Sequence, residues 1–346
     1  MNNSILYQEI SEQPAVIRRL VNNERKNIED IADSIRSKFS YIYIAARGSS
    51  DNAARYAQYL FGIHNHLTVG LATPSIFSLY QEPPLLKDAL VIGISQSGQS
   101  PDILSVIKVA SEQGCPTIAL TNDSSSPLAN AATFVINLQA HQERAVAATK
   151  TYTASLTALA MLSVLLNEHA AALDNIAELP GWIENTIEET KGVIPRVERF
   201  RYMEHCAVLG RGYNYATSFE ISLKIKEINR IIAEPYSTAD FRHGPISTIH
   251  PGFPVFIIAN EGPTFKDTAN LVSGLVDLGA EIILVSNANI PNLYPVMFFH
   301  IPTEVPEWLS PIPSVIPGQL FAMQLALERG LDPDFPAGLG KVTQTY

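Results

Sequence analysis

The chain contains two copies of one segment pattern, separated by 164 or 165 residues. The segment YIYIAARG, which ends at Gly48, is matched by HCAVLGRG, which ends at Gly212. VIGISQSG and EQGCPTIALT are matched, in the same order, by VFIIANEG and DLGAEIILVS. A repeat of this length corresponds to a whole domain, whereas the units of solenoid proteins are much shorter. The sequence therefore predicts two tandem copies of one fold, with a boundary at about residues 180–200.

Each copy alternates short apolar runs with longer helical patterns. In the first copy the apolar runs are residues 41–46, 90–94 and 117–120. The turn Arg47-Gly-Ser-Ser50 follows the first run and leads into a helical pattern, and residues 101–112 form such a pattern after the second run. Strands that alternate with helices in this way form a parallel sheet covered on both faces. The expected fold class is α/β, with two tandem domains, each a doubly wound, flavodoxin-like parallel sheet flanked by helices.

The segments outside the two copies suggest the domain boundaries. The N-terminal stretch is polar with apolar residues at helical spacing, which indicates one or two amphipathic helices before the first strand. We expect a helical lead-in over residues 1–40, a first domain over 41–185, a second domain over 195–330, and a C-terminal tail over 331–346 that closes the active site.

Charge and composition exclude several classes of protein. The chain of 346 residues has a formal net charge of −10 and scattered lysines and arginines, so it lacks the basic stripe that binds nucleic acid. It has no apolar run of about 18 residues, and Cys115 and Cys206 do not suggest a disulfide framework. His64 and His66 have no third ligand nearby, so no metal site is expected. These features predict a cytoplasmic protein that binds neither nucleic acid nor a membrane.

A cluster of hydroxyls follows the second apolar run, in the segment ISQSGQSPD that ends at Asp102. Ser100 suits the N-cap and Pro101 the first position of the next helix, whose free N–H groups and dipole favour an anion such as phosphate. The alternative is an ordinary Ser/Gly turn that only caps its helix. The second copy reads IANEGPTFK here, without the hydroxyls and with an added carboxylate, so we expect it to repel an anion.

A second group of polar residues lies in FEISLKIKEINRIIAEPYSTADFRHGP, residues 219–245. On a helix, Glu220, Lys224 and Glu227 fall on one face, and a carboxylate beside a lysine has the tunable pKa that a general base requires. The alternative is a solvated ladder of salt bridges. His243, in a Gly-Pro loop, and Lys341, in the Gly-rich stretch PAGLGK, are further candidates, although either fits a plain surface loop or terminus.

Several of these segments occur in the order that is typical of one family. ISQSGQSPD, AVAATKTYTASL, LGRG, SLKIKEINRIIAEPYSTADFRHGPI and PAGLGKV follow one another over nearly the whole chain. With these segments in this order, the chain resembles the sugar isomerase (SIS) domain family. Within that family it is similar in particular to the isomerase half of glutamine-dependent glucosamine-6-phosphate synthase. Both predicted domains are therefore expected to be SIS domains.

The resemblance implies a role for each candidate residue. It implies that the substrate, an amino-sugar phosphate, is bound by Ser49, Ser50, Ser95, Gln96, Ser97, Ser100, Val146, Ala148 and Glu220. It implies that Glu227 moves a proton between C1 and C2, that His243 opens the sugar ring, and that Lys341 approaches the open-chain carbonyl. Lys224 matches a supporting catalytic position. The resemblance further implies a homodimer, in which the neighbouring subunit supplies the histidine, and no cofactor.

The chain also departs from the synthase in several respects, although Ser100, which replaces a threonine, keeps the hydroxyl. Ala148 replaces a serine, which removes one hydroxyl contact to the sugar, and Ala337-Gly338 replaces bulkier residues in the tail before Lys341. No segment resembles the synthase's glutaminase half. The expectation that follows is a glucosamine-6-phosphate deaminase, which releases fructose 6-phosphate and ammonia by isomerisation and imine hydrolysis. The alternatives are an aldose–ketose isomerase or a deglycase acting on another amino-sugar phosphate, and a sugar-phosphate sensor.

Overall fold

A computed structural model of the chain describes residues 4–167 and 171–341. These residues divide into two compact units, each built on one sheet. We call them the first sheet unit (residues 15–143, 150–167, 171–177 and 340–341) and the second sheet unit (residues 4–14, 144–149 and 178–339). The domain boundaries expected from the sequence stay predictions.

The first sheet unit contains a parallel sheet whose five described strands have the order β2-β1-β3-β4-β5. These strands are β1 Tyr41–Ala45, β2 Thr68–Leu71, β3 Ala89–Ile94, β4 Thr117–Thr121 and β5 Phe134–Asn137.

The second sheet unit repeats this arrangement, with the order β10-β9-β8-β6-β7 and all described pairs parallel. Its strands are β6 His205–Gly210, β7 Ile232–Ser237, β8 Pro254–Ile258, β9 Glu281–Ser286 and β10 Met297–His300. Numbered from the first strand of each unit, both sheets have the order 2-1-3-4-5, which is that of a flavodoxin-like doubly wound fold. The repeat and the fold class predicted from the sequence are confirmed.

Helices precede, connect and follow the strands. The described α-helices are α1 Ile5–Ser11, α2 Gln13–Ile35, α3 Ser49–His64, α4 Pro74–Ser78, α5 Pro101–Glu112, α6 Pro127–Ala131, α7 Lys150–Leu166, α8 Ala172–Val193, α9 Asn214–Asn229, α10 Thr238–Phe241, α11 Phe265–Asp277 and α12 Pro311–Glu328. Short 3-10 helices cover Ile194–Phe200, Pro245–Thr248 and Glu307–Leu309. Over residues 4–167 and 171–341, no helix has the length and apolar character needed to cross a membrane.

The pattern of burial explains why these segments take these forms. All residues of β3 and β4 are buried, as in central strands of a parallel sheet with helices on both faces. In α5, Ile103, Val106, Ile107 and Ala110 recur at helical spacing and are buried. Burying a side chain of the size of Val or Ile contributes about 1.5–3 kcal/mol, so this stripe fixes α5 against the sheet. The N-terminus of α5 is thereby held at the carboxyl edge of the strands.

Candidate active site

The first candidate region lies where the strand order of the first sheet reverses, between β1 and β3. In open α/β sheets, ligands bind outside the carboxyl ends of the strands at such a switch point. Ser49 and Ser50 begin α3 just after β1, and residues 95–100 connect β3 to α5. The Nε of Arg47 lies 2.8 Å from Oδ2 of Asp102, which links the two segments. The serines expected to bind phosphate therefore lie at one edge of one sheet.

The loop after β3 is a tight turn around Gly98. The hydroxyl of Ser95 accepts a hydrogen bond from Gly98 N at 3.1 Å. Gly98 has φ +61°, and a Cβ at this position would overlap Oγ and Cβ of Ser126. Its carbonyl accepts from Leu128 N at 3.2 Å. Two features therefore require glycine at this position: the positive φ angle and the close approach of Ser126.

Ser100 occupies the N-cap position of α5, and Pro101 is the first helical residue, as the sequence predicts. Within the described residues, however, the Ser100 hydroxyl makes no hydrogen bond that caps the helix. Its backbone is extended, with φ −69° and ψ 113°. In the described structure the hydroxyl is therefore not used for helix capping.

A polar cleft of about 460 Å³ opens beside this loop. Two side chains expected to bind phosphate, Gln96 and Ser97, line it. Hydrogen bonds from the hydroxyl and the N–H of Ser125 lower the pKa of Asp123, another residue of this cleft. The other lining residues are Gln99, Asn122, His141, Gln142 and Glu143. Its mixture of amide, hydroxyl and carboxylate groups suits a hydroxylated, charged ligand of small size.

Lys341, the last lysine in the sequence, contacts a residue that lines this cleft. Nζ of Lys341 lies 2.7 Å from Oε2 of Glu143, and the Glu143 side chain is completely buried. The same carboxylate accepts from the hydroxyl of Thr151 at 2.8 Å. The sequence singled out Lys341 but missed Glu143, although Glu143 stands just before the motif AVAATKTYTASL. Lys341 thus contacts one residue, Glu143, of the cleft that Gln96 and Ser97 line.

The second candidate region is the polar face of α9 in the second sheet unit. Nζ of Lys224 lies 3.4 Å from Oε1 of Glu220 and 2.7 Å from Oε2 of Glu227, so the helix brings the three residues together as their spacing predicts. The Glu220 and Lys224 side chains are 0% and 1% exposed, whereas that of Glu227 is 26% exposed. This is a buried network with one accessible carboxylate, and not the solvated ladder of the alternative interpretation.

His243, Val146 and Ala148 have different surroundings. His243 is exposed in the turn after α10, where its backbone N–H donates to Asp240 O at 2.9 Å. Val146 and Ala148 are half-buried, and Val146 N donates to Asp334 O at 3.0 Å. Ser49, Ser50, Ser95, Gln96, Ser97, Ser100 and Lys341 belong to the first sheet unit, and Val146, Ala148, Glu220, Lys224, Glu227 and His243 to the second.

The second sheet unit has its own switch point, between β6 and β8. The loop at this switch point contacts the side chain of Glu307. The hydroxyl of Thr264 donates to Oε1 of Glu307 at 3.0 Å. A Cβ on Gly262 would overlap the Glu307 carboxylate, so the absence of a side chain leaves room for it. Burial raises the pKa of Glu307, and burial together with this carboxylate raises the pKa of Tyr213. The loop that we expected to repel an anion thus contacts a carboxylate of the chain itself.

Within the described parts of the chain, no group of three or more His, Cys, Asp or Glu side chains is arranged to hold a metal ion.

Comparison with known proteins places the chain in a family. Residues 35–165 and 200–329 match the SIS domain, which together is well over half of the chain. The chain belongs to the SIS domain family. The resemblance inferred from the motifs is therefore confirmed.

Individual relatives give further context. The glutamine–fructose-6-phosphate aminotransferase (isomerizing) of Streptococcus pneumoniae serotype 4 is 33% identical over 350 aligned positions, which cover 97% of this chain and 58% of that protein. This chain thus spans less than two thirds of that relative.

Two solved structures extend the comparison. A Silicibacter pomeroyi DSS-3 protein, provisionally described as a phosphosugar isomerase, is 29% identical, with a TM-score of 0.87 over 96% of this chain and 100% of that one. The glucosamine-6-phosphate deaminase of Thermotoga maritima is 23% identical, with a TM-score of 0.83 over 99% and 100%, and shares the fold.

Proposed function

We propose that the protein is a phosphosugar isomerase of the SIS family and that it acts as a glucosamine-6-phosphate deaminase. Three observations support this proposal. The chain belongs to the SIS family, it aligns over 97% of its length with a relative named as an isomerizing aminotransferase of fructose 6-phosphate, and its fold is also that of a deaminase. In this proposal its candidate residues supply both an anion-binding loop and an acid–base group.

The observation that carries the proposal is the environment of Glu227. Its carboxylate is 26% exposed and is held at 2.7 Å by the Lys224 ammonium, which is itself buried and paired with Glu220. A general base must be fixed in position yet reachable by substrate. Glu227 meets these requirements, whereas the completely buried Glu220 does not. Lys224 is then the residue that orients the base.

The proposed reaction has three steps. His243 assists opening of the pyranose ring to the free aldehyde. Glu227 removes the proton from C2 and returns it to C1, so that the amino aldose becomes a ketose imine. Water then adds to the C2 imine carbon, the C–N bond breaks, and fructose 6-phosphate and ammonia leave. Each proton transfer of this kind contributes about 10² to 10⁴ in rate.

The phosphate group is assigned to the switch-point loop of the first sheet unit. Ser97 and Gln96 line the polar cleft, and the Ser100 hydroxyl is not used for capping in the described structure. The N-terminus of α5 adds a positive partial charge. In this proposal Ser49, Ser50 and Ser95 complete the loop, while Val146 and Ala148 contribute backbone contacts. Anchoring the phosphate lowers the entropy cost of holding the sugar in one orientation.

The ammonia assay tests the proposal directly. Purified protein is incubated with glucosamine 6-phosphate, and ammonia and fructose 6-phosphate are measured together. The proposal requires both products in equal amounts. A protein that isomerises neutral sugar phosphates without releasing ammonia is an aldose–ketose isomerase, and one that binds phosphosugars without turnover is a sensor. Either result would refute the deaminase assignment.

Two variants test the assigned base. Glu227→Gln is expected to keep binding of glucosamine 6-phosphate and to lower kcat by at least about 10²-fold, since the amide cannot accept the C2 proton. Glu188→Gln is the matched control, because Glu188 is 70% exposed and pairs with a surface lysine. It is expected to leave kcat unchanged. Equal turnover of Glu227→Gln and wild type would exclude Glu227 as the base.

The proposal includes a homodimer in which His243 acts in the neighbouring subunit's site. The exposed position of His243 within its own chain is consistent with this role. Inactive Glu227→Gln and His243→Ala proteins are unfolded together and refolded. If the histidine acts in the partner's site, each mixed dimer has one complete site, and an equal mixture recovers about a quarter of wild-type activity. If it acts within its own chain, the mixture stays inactive.

A further inference from the structure

Glu143 is a buried carboxylate that none of the roles proposed above uses. Its side chain is 0% exposed, and its Oε2 lies 2.7 Å from Nζ of Lys341, whose side chain is 23% exposed. The two residues are 198 positions apart in sequence. A buried carboxylate is costly unless it is paired and hydrogen-bonded, so the pairing with Lys341 has an energetic basis.

The carboxylate is the fixed member of this pair. It accepts from the Thr151 hydroxyl at 2.8 Å and from Thr151 N at 3.2 Å. Thr151 lies in the first turn of α7, where the helix dipole favours a negative charge. Next to it, Nζ of Lys150 donates to Gln142 O at 2.7 Å and holds the preceding backbone. Lys341, by contrast, lies in the non-helical segment beyond α12.

The fixed carboxylate also determines where the ammonium of Lys341 stands. Glu143 lines the same cleft as Gln96 and Ser97, the two side chains assigned above to the phosphate. A bare carboxylate in this wall would repel a phosphorylated ligand, and the Lys341 ammonium cancels that repulsion. The ion pair thus places a positive donor beside Glu143, a residue of the cleft wall, and compensates the charge of that carboxylate.

We propose that Glu143 is the positioning residue for Lys341: it holds the lysine ammonium at the wall of the phosphosugar cleft, ready to donate to an oxygen of the bound substrate. This inference rests on the proposed function, because it takes the cleft to be the phosphosugar site. Lysine has a flexible four-carbon stem, so a fixed partner restricts where its charge can go before substrate arrives. In this arrangement the lysine acts as a hydrogen-bond donor.

A double-mutant cycle on kcat with glucosamine 6-phosphate tests this role. Glu143→Gln and Lys341→Met are each expected to lower kcat by about 10²-fold, with less than about a threefold change in KM, since misplacement of a catalytic group affects the transition state. If Glu143 acts through Lys341, Glu143→Gln lowers kcat of the Lys341→Met protein by no more than about threefold. An equal loss in both backgrounds would assign Glu143 a merely structural role and overturn the proposal.

Two further variants complete the cycle. Glu143→Asp keeps the charge on a shorter side chain and is expected to recover at least about tenfold of the activity lost in Glu143→Gln. No recovery would contradict the proposal. It also provides a folded variant if Glu143→Gln fails to fold. Glu188→Gln removes an exposed carboxylate that pairs with Lys191 and is expected to match wild type.

A measurement without substrate separates this inference from the proposed function. Deuterium exchange of residues 336–341 is expected to be faster in Glu143→Gln and in Lys341→Met than in wild type, and by similar factors, because both variants remove the same tether. Unchanged exchange would refute the positioning role even if the enzyme deaminates glucosamine 6-phosphate. Faster exchange in a protein that turns over no phosphosugar would instead refute the proposed function alone.

Discussion

Arg47 Nε lies 2.8 Å from Asp102 Oδ2, so the turn after β1 is joined directly to the first turn of α5. The Asp102 side chain is completely buried, and that of Arg47 is about half exposed. The second sheet unit repeats the link between Arg211 and Asp267, which also contacts Arg242 at 2.8 Å. Both switch points are therefore held by the same kind of ion pair, although the hydroxyl-rich loop occurs in the first.

The repeated ion pair allows a prediction with an internal control. Asp102→Asn removes the charge that fixes the two serine-containing segments relative to each other, and we expect the affinity for glucosamine 6-phosphate to fall about tenfold. Asp267→Asn removes the corresponding charge in the second sheet unit and is expected to leave this affinity unchanged. Isothermal titration calorimetry measures both. Equal losses in the two variants would show that the first link has no special connection with ligand binding.

Gly98 provides a second prediction, because its position excludes a side chain for two separate reasons. Gly98→Ala would place a Cβ on a residue with φ +61° and against Ser126. Gly114→Ala is the matched control, since Gly114 has φ +79° but open space where a Cβ would lie. Both variants incur the strain of a left-handed alanine, about 1–2 kcal/mol, and the overlap adds about 1–3 kcal/mol at Gly98.

Urea unfolding of the two glycine variants separates these contributions. We expect Gly98→Ala to be the less stable variant and to lose phosphosugar affinity, while Gly114→Ala keeps that affinity. Equal free energies of unfolding would mean that the contact with Ser126 is not close enough to constrain the loop.

A third prediction compares two serines that both occupy N-cap positions. The Ser126 hydroxyl accepts from Ala129 N at 3.2 Å, whereas the Ser100 hydroxyl makes no such bond in the described structure. Ser126→Ala is therefore expected to lower the free energy of unfolding by about 1 kcal/mol, and Ser100→Ala to leave it nearly unchanged. Ser100→Ala should instead weaken phosphosugar binding by calorimetry. A stability loss in Ser100→Ala without a change in affinity would assign the hydroxyl to the helix.

Much of the fold follows from local patterns, since β1, β3, β4 and α5 lie where the sequence predicts them. β3 and β4 are continuous buried runs, β1 is partly buried, and α5 has apolar residues at helical spacing. The strands β2 and β5 were missed, because each has only four residues and is mostly half-buried or exposed at a sheet edge. Their pairing with β1 and β4 is set by the sheet, and the internal apolar period of such short segments is too weak to indicate it.

Some residues of the candidate site could likewise be predicted from local spacing, and others could not. The face formed by Glu220, Lys224 and Glu227 could be predicted, because helical spacing alone brings the three side chains together. Glu143 could not be predicted, since its partner Lys341 is 198 residues away. Spacing rules apply within an element, and contacts between distant segments depend on how the elements pack.

The remaining prediction concerns Glu307, whose pKa burial raises above its ordinary value of 4.5, although the hydrogen bond from Thr264 opposes the shift. The folded protein therefore retains this proton to higher pH than the unfolded chain does. Glu307 thus stabilises the fold most below its ordinary pKa, and this contribution is lost as the pH rises through the raised pKa. Glu307→Gln removes the ionisation, so its Tm relative to wild type should rise as the pH increases above the ordinary pKa of 4.5. Glu304→Gln removes a carboxylate from the exposed surface nearby and corrects for the change in net charge. A Tm difference between Glu307→Gln and Glu304→Gln that does not vary with pH would show that burial does not govern the ionisation of Glu307.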